Sequence, residues 1–309
     1  MRNEQQSGPS ETIRAATPGD IPALSELFRE VFGIDRPESL WRWKFFDNPL
    51  GGASFLCEAD GRVVAHCGGT PITFADGARR YLALQSVDFM SSAAYAGGMG
   101  GGGVFVRTAQ RFFEERCGPG RVPLVYGFPG ERHRLLGERL LGYRPVEQIG
   151  ELRRQPSAAD GVSLPLTAGL LSLFERPRYG FGGIRDRRYL RWRYLEHPLH
   201  QYRVVVIRRP WSLRRAAAII RRTQEELYVM EIGGSAGGSD LKLLSETLGR
   251  FGVPAIFWGG PTHPFVRCLA DTGFEPSVRD HWLECRFFDK RPTPREGEMY
   301  FTLGDYDVY

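Results

Sequence analysis

The run "AYAGGMGGGGVFVRTAQRFFEE", Ala94 to Glu115, holds the residues whose type and spacing most directly suggest chemistry. A strand that ends in glycines and passes straight into a helix presents several unpaired backbone N–H groups, and the helix dipole adds partial positive charge there. Such an arrangement cradles phosphate. Glycine lets the backbone approach a ligand without a Cβ and take up positive φ. Val104, Phe105, Thr108, Phe112 and Phe113 then resume helical spacing, so the loop is tied to a packed helix over Val104 to Arg116.

The elements that must position this loop are those of an ordinary globular chain. Of 309 residues, 42% are hydrophobic and 25% charged, enough for about two domains. The net charge is +5, but the basic residues are almost all arginine, lysine occurring only at 44, 242 and 290. They are interspersed with acids and form no aromatic-laced basic stripe, which argues against nucleic acid. Cys57, Cys67, Cys117, Cys268 and Cys285 make no C-x-x-C pair, so neither zinc nor a disulfide framework is expected. "MRNEQQSGPSE" carries no apolar run and no later window could span a bilayer, so the reading is a soluble, cytoplasmic protein.

One phrase is written twice: "WRWKFFDNPL" from Trp41 and "LRWRYLEHPL" from Leu190. Later landmarks recur in the same order, Gly142-Tyr143-Arg144-Pro145 answering Gly273-Phe274-Glu275-Pro276, each after an apolar-periodic helix. Duplication of an α/β unit follows. Within each unit the pattern gives strands, a glycine turn, a helix (Val104 to Arg116; Asp240 to Phe251), a strand, a helix and a last β segment. Asp60-Gly61 marks a hairpin. The expected divisions are a disordered tail at 1–11, a first domain at 12–153, a linker at 154–165 and a second domain at 166–309. Trp43, Phe45 and Phe46 are expected to pack, with Pro49 stopping the helix. The closing "YFTLGDYDVY" reads as a strand, a turn and a solvated end bearing Asp305 and Asp307.

The opening "TIRAATPGDIPALSELFREVFG", the hairpin, the strand ending in "SVDFMSSAAY", the glycine loop and its helix together resemble the GNAT superfamily of acyl-CoA-dependent acyltransferases. The resemblance implies two tandem α/β domains, each a mixed, mostly antiparallel sheet flanked by helices. It implies acetyl-CoA or another acyl-CoA as co-substrate and a small-molecule amine as acceptor. The family's loop, Gln/Arg-x-x-Gly-x-Gly/Ala, binds the coenzyme pyrophosphate. Its best register here, Gly97-x-x-Gly100-x-Gly102, assigns that role to Gly97, Gly98, Met99, Gly100, Gly101 and Gly102, with Gly97 standing where the family has Gln or Arg.

Backbone N–H groups of Phe89, Met90 and Ser91 would polarise the thioester. Asp88 is either the base or a turn-stabilising aspartate. The family's tyrosine acid, four residues before the Gly-aromatic pair, is replaced by Glu138, so Tyr126, His133 and Tyr95 stand as substitutes, with His66 and Glu131 behind them. In the second half "EIGGSAGGSDLKLL" occupies the place of the loop, and Asp240, a good N-cap, would repel a pyrophosphate. Coenzyme binding is therefore expected in the first half. The other reading is a non-catalytic module that keeps the fold.

Overall fold

The computed structural model describes residues 11–95, 102–175, 180–208, 215–234, 238–259, 263, 265–290 and 294–306. Residues 1–10 of the expected tail lie outside them. Strand β1 (Thr12–Ala15) leads into α1 (Ile21–Phe32), whose residues Ile21, Leu24, Leu27 and Phe28 are buried at helical spacing. The short α2 (Glu38–Trp41) follows. Strands β2 (Ala53–Ala59) and β3 (Arg62–Asp76) form the expected hairpin, with Asp60 and Gly61 both at positive φ. Then come β4 (Arg79–Ser91), α3 (Val104–Arg116), β5 (Leu124–Gly127), α4 (Glu131–Leu141) and β6 (Arg144–Arg154).

The second half runs β7 (Leu164–Pro165), β8 (Phe181–Gly183), α5 (Arg187–Leu190), β9 (Arg203–Arg208), β10 (Arg215–Arg222), β11 (Leu227–Gly234), α6 (Gly238–Leu248), β12 (Ala255–Trp258), α7 (Val266–Ala270), β13 (Glu275–Phe287) and β14 (Met299–Tyr300). Helix α6 starts at Gly238, so Asp240 stands within its first turn, buried.

All the strands among the described residues belong to one sheet, whose main path is β1-β2-β3-β4-β5-β13-β6-β12-β11-β10-β9-β7. Read from either end, this path passes equivalent elements in the same order, as a duplication requires. The halves are not laid side by side, however. Strand β13 of the second half sits between β5 and β6, and β6 of the first half sits between β13 and β12, so each half completes the other's sheet. The exchange is reciprocal in side chains as well. Arg286 on β13 donates to the Leu141 carbonyl at the end of α4, and Arg154 on β6 donates to the Thr272 carbonyl beyond α7. Each exchanged arginine thereby bonds a carbonyl near the other half's helix terminus, the Thr272 carbonyl being shared with the Ser245 hydroxyl (3.1 Å).

The repeated aromatic phrase lies where the halves meet. Helices α2 and α5 each continue into five residues wound wider than an α-helix, Arg42–Phe46 and Arg191–Leu195, closed by bonds from Asp47 N to Arg42 O (2.7 Å) and Glu196 N to Arg191 O (3.0 Å). Trp43 and Trp192 are buried within the largest apolar cluster, together with Tyr126, Tyr189, Trp258 and Phe301. The chain's last described segment also enters this core, which corrects the expectation of a solvated end. Thr302 and Asp305 are buried, and Asp305 pairs with the buried guanidinium of Arg185. Asp307 lies outside the described residues.

Candidate functional site: a parted strand pair beside helix α3

Strands β4 and β5 run parallel and are paired only from Ala83–Leu124 to Gln85–Tyr126. Beyond that point β4 continues through Val87 to Ser91 while β5 ends at Gly127. The divergence is fixed by a bulge. The β3–β4 register shifts between His66 and Gly68, and Asp88 takes φ 55°, a rare left-handed value for a residue with a Cβ.

A buried network holds that conformation. The Asp88 carboxylate accepts from both arms of Arg36 (2.5 and 2.9 Å) and from Lys44 Nζ (2.8 Å). Burial by itself would raise its pKa, but the two cations outweigh burial and hold it well below the usual carboxylate range. A carboxylate so paired is a poor proton acceptor, and of its two sequence readings the turn-stabilising one fits this geometry. The Asp88 main-chain carbonyl accepts from His66 Nδ1 (2.9 Å), and His66 Nε2 then accepts from the Ser54 hydroxyl (2.8 Å). A carbonyl can only accept, so the proton sits on Nδ1. Burial pushes the imidazole pKa down to about 4, leaving it neutral. Arg36 stacks 3.8 Å from the Phe28 ring centroid, which ties the network to α1.

Downstream of the bulge, Phe89 points into the aromatic cluster of Phe105, Phe112 and Phe113 on α3. Met90 is buried and Ser91 half-buried. Gly103 caps α3 in extended conformation, the first turn carries no acid, and Arg107 ties the Gly102 carbonyl to Glu11. Gly97, Gly98, Met99, Gly100 and Gly101 lie outside the described residues.

The remaining candidates occupy separate places. Tyr126, 1% exposed, lines a cavity of about 20 Å³ between the halves, beside Trp43, Gln85, Trp192, Arg193 and Asp305. That is room for about one water. His133 is exposed on the first turn of α4, Tyr95 bonds Asp60, and Glu138 pairs with Arg134. The structure does not bring Asp88, Tyr126 and His133 into one constellation.

Sequence reading missed Arg36 and Lys44, and His66, a weaker candidate for the acid, stands instead in the network behind Asp88. A signal existed: extended upstream, the repeat aligns Arg36 with Arg185 and Lys44 with Arg193, each 149 residues apart. The second half accordingly holds a counterpart. Arg185 Nε meets Glu231 of β11 at 2.7 Å, and Glu231 also accepts from Tyr194 (3.1 Å) and Thr302 (3.1 Å). There the last described segment, Thr302 to Asp305, packs against the pair.

No protein-family model and no curated protein sequence matches the chain. Solved structures do. A protein of Enterococcus faecalis described as a probable N-acyltransferase aligns with a TM-score of 0.66 at 11% identity, over 91% of this chain and 73% of that one. A GCN5-related N-acetyltransferase from Anabaena variabilis aligns with a TM-score of 0.61 at 13% identity, over 91% and 73%. The N-myristoyltransferase of Saccharomyces cerevisiae, solved with myristoyl-CoA bound, aligns with a TM-score of 0.58 at 11% identity, over 89% and 82%. The chain therefore has the fold of GNAT-type acyltransferases. It has that fold twice, in tandem. Among the described residues, no helix is long and apolar enough to cross a membrane.

Proposed function

We propose that the chain is an acyl-CoA-dependent N-acyltransferase whose first half binds the coenzyme, with acetyl-CoA as donor and the amine of a small molecule, sugar or amino acid as acceptor. One observation carries this reading: a β4 strand parted from β5 by a pinned bulge leads to the N-terminus of α3, whose first turn has no acid. In this reading backbone N–H groups within Phe89 to Ser91 polarise the thioester carbonyl, and the loop from Gly97 to Gly102 with the α3 N-terminus takes the diphosphate. Asp88 acts as a positioning residue that fixes the bulge. The same reading divides the chain at 12–153 and 166–309 around a linker at 154–165, within a cytoplasmic protein.

The fold neighbours' names support the donor class, and the bound myristoyl-CoA in one of them supports an acyl-CoA in particular. A second reading, a non-catalytic acyl-CoA-binding module, is favoured by the two cations that neutralise Asp88 and by the pairing of Glu138 with Arg134. Thiol release from acetyl-CoA, followed with amino sugars, amino acids and a polyamine, separates the two. Saturable release with one amine class is expected, and binding without release for any of them would favour the module.

A further inference from the structure

We propose that Glu284, carried on β13 of the second half into the first half's sheet, is the group that passes a proton in the first-half cleft. The inference rests on the acyltransferase reading and names a residue for it. Glu284 pairs with Gly127, the last residue of β5, and is 5% exposed. Its carboxyl lies under Gly137 of α4, where a Cβ would stand 3.1 Å from Oε2 and 3.2 Å from Oε1. Oε2 has no hydrogen-bond partner among the described residues. Gly137 adjoins Glu138, the position of the absent tyrosine. Ser86, where β4 leaves β5, donates to the Tyr126 carbonyl (3.1 Å), and its hydroxyl fills the space a Gly127 side chain would need.

The charged groups that act on Glu284 are Glu138 and Arg134 of α4, and the Tyr143 phenol lies nearby. Burial, reinforced by Glu138 against Arg134, lifts the carboxyl to about 8, so it holds a proton at neutral pH.

The pseudo-equivalent spot in the second half lacks these polar groups. Counted from the Gly-aromatic corners and from the exchanged arginines, Ser86, Gly127, Gly137, Tyr143 and Glu284 become Val229, Phe257, Cys268, Phe274 and Leu152. There the position is closed by apolar packing. An unpaired buried acid costs stability, and only one of two duplicated sites retains it.

In the step envisaged, the neutral amine attacks the thioester carbonyl and the C–N bond forms. As the C–S bond breaks, the Glu284 carboxyl gives its proton to the coenzyme sulfur. The carboxylate then takes the proton shed by nitrogen, directly or through water, so amide and free thiol leave and Glu284 ends as it began.

The test combines wild type, Glu284→Gln and Glu284→Leu, the last copying the second half. Calorimetry with acetyl-CoA reads binding. Difference infrared spectroscopy reads the carboxylic-acid carbonyl band, and thiol release with the amine panel reads turnover. Expected are acetyl-CoA affinities within about threefold of wild type, a carboxylic-acid band that shifts on acetyl-CoA binding in wild type alone, and release slowed about 100-fold in Glu284→Gln. A band indifferent to acetyl-CoA, or turnover unchanged in Glu284→Gln, overturns the proposal. A wild type that binds no acyl-CoA instead fails the acyltransferase reading itself, and this assignment falls with it.

Discussion

The indole N–H of Trp43 donates to the main-chain carbonyl of Trp192 at 3.0 Å, and the indole N–H of Trp192 donates to the carbonyl of Trp43 at 3.1 Å. The rings stack with centroids 4.4 Å apart and planes 11° from parallel. Two copies of one phrase thus satisfy each other's buried donors across a local two-fold axis. This gives a physical reason for a tryptophan at this position in both copies. An unpaired indole N–H at this depth carries a desolvation cost, which the reciprocal bonds remove at both tryptophans.

Removing the donor while keeping a ring tests that relationship. Trp192→Phe and Trp43→Phe are each expected to lower stability by about 1–3 kcal/mol, because each orphans a buried carbonyl and loses stacking area. Urea unfolding should remain one cooperative transition in both variants. Two separated transitions, with only the mutated half shifted, would show that the pair does not couple the halves.

The exchange of β6 and β13 makes a second prediction. Residues 12–153 expressed alone lack the strand that fills the gap between β5 and β6 and should be insoluble or lack cooperative unfolding, whereas co-expression with 154–309 should restore a soluble complex. A cooperatively folded first half on its own, seen by circular dichroism and calorimetric melting, would contradict the topology.

Asp88→Asn distinguishes a positioning aspartate from a base. The substitution leaves Arg36 and Lys44 facing a neutral amide in a buried site, and breaking such a pair costs about 3–5 kcal/mol. Denaturant midpoints should fall accordingly. A variant of wild-type stability with turnover abolished would instead make Asp88 the proton acceptor.

Glu284 and Glu147 set the pH dependence on the neutral side. Burial lifts Glu284 to about 8, and burial, opposed by the Gly297 N–H and aided by Glu296, lifts Glu147 to about 7. In the unfolded chain both titrate near about 4.3. Below that value both states are protonated and the contribution to stability is fully present. As pH rises the unfolded chain ionises first, so stability falls until the pH passes about 7 and then about 8. Histidines such as His66 and His200, each held down to about 4 by burial, act in the opposite sense up to about 6.5, so melting temperatures should decline from there to about 8. Glu284→Gln should flatten the upper part of that decline, and an unchanged slope would show that Glu284 is ionised in the fold.

Much of this architecture was legible because it is local or periodic. Asp60-Gly61 gave the hairpin, the spacing of Val104 to Arg116 gave α3 to the residue, and the recurring Gly-aromatic corner gave the duplication. What stayed hidden is non-local. No periodicity announces that β13 enters the other half's sheet, since both arrangements bury the same apolar alternation. Asp88 looked equally like a base because its partners lie 52 and 44 residues away, and only the three-dimensional fold brings Arg36 and Lys44 to it. Asp305 looked solvated because an acid near a chain end usually is, yet its partner Arg185 lies 120 residues upstream. Glu284 could not be read as part of the first-half site before the strand exchange was known.

Whether one acyl-CoA binds, in the first half, is read by calorimetric titration of wild type, Gly102→Asp and Gly238→Asp with acetyl-CoA and longer acyl-CoAs. A Cβ at either glycine meets nothing within 4 Å, so neither change is disruptive by itself. One saturable site per chain is expected, abolished by the added charge at Gly102 and retained with Gly238→Asp. No binding to any acyl-CoA, or equal loss from both substitutions, would contradict first-half binding.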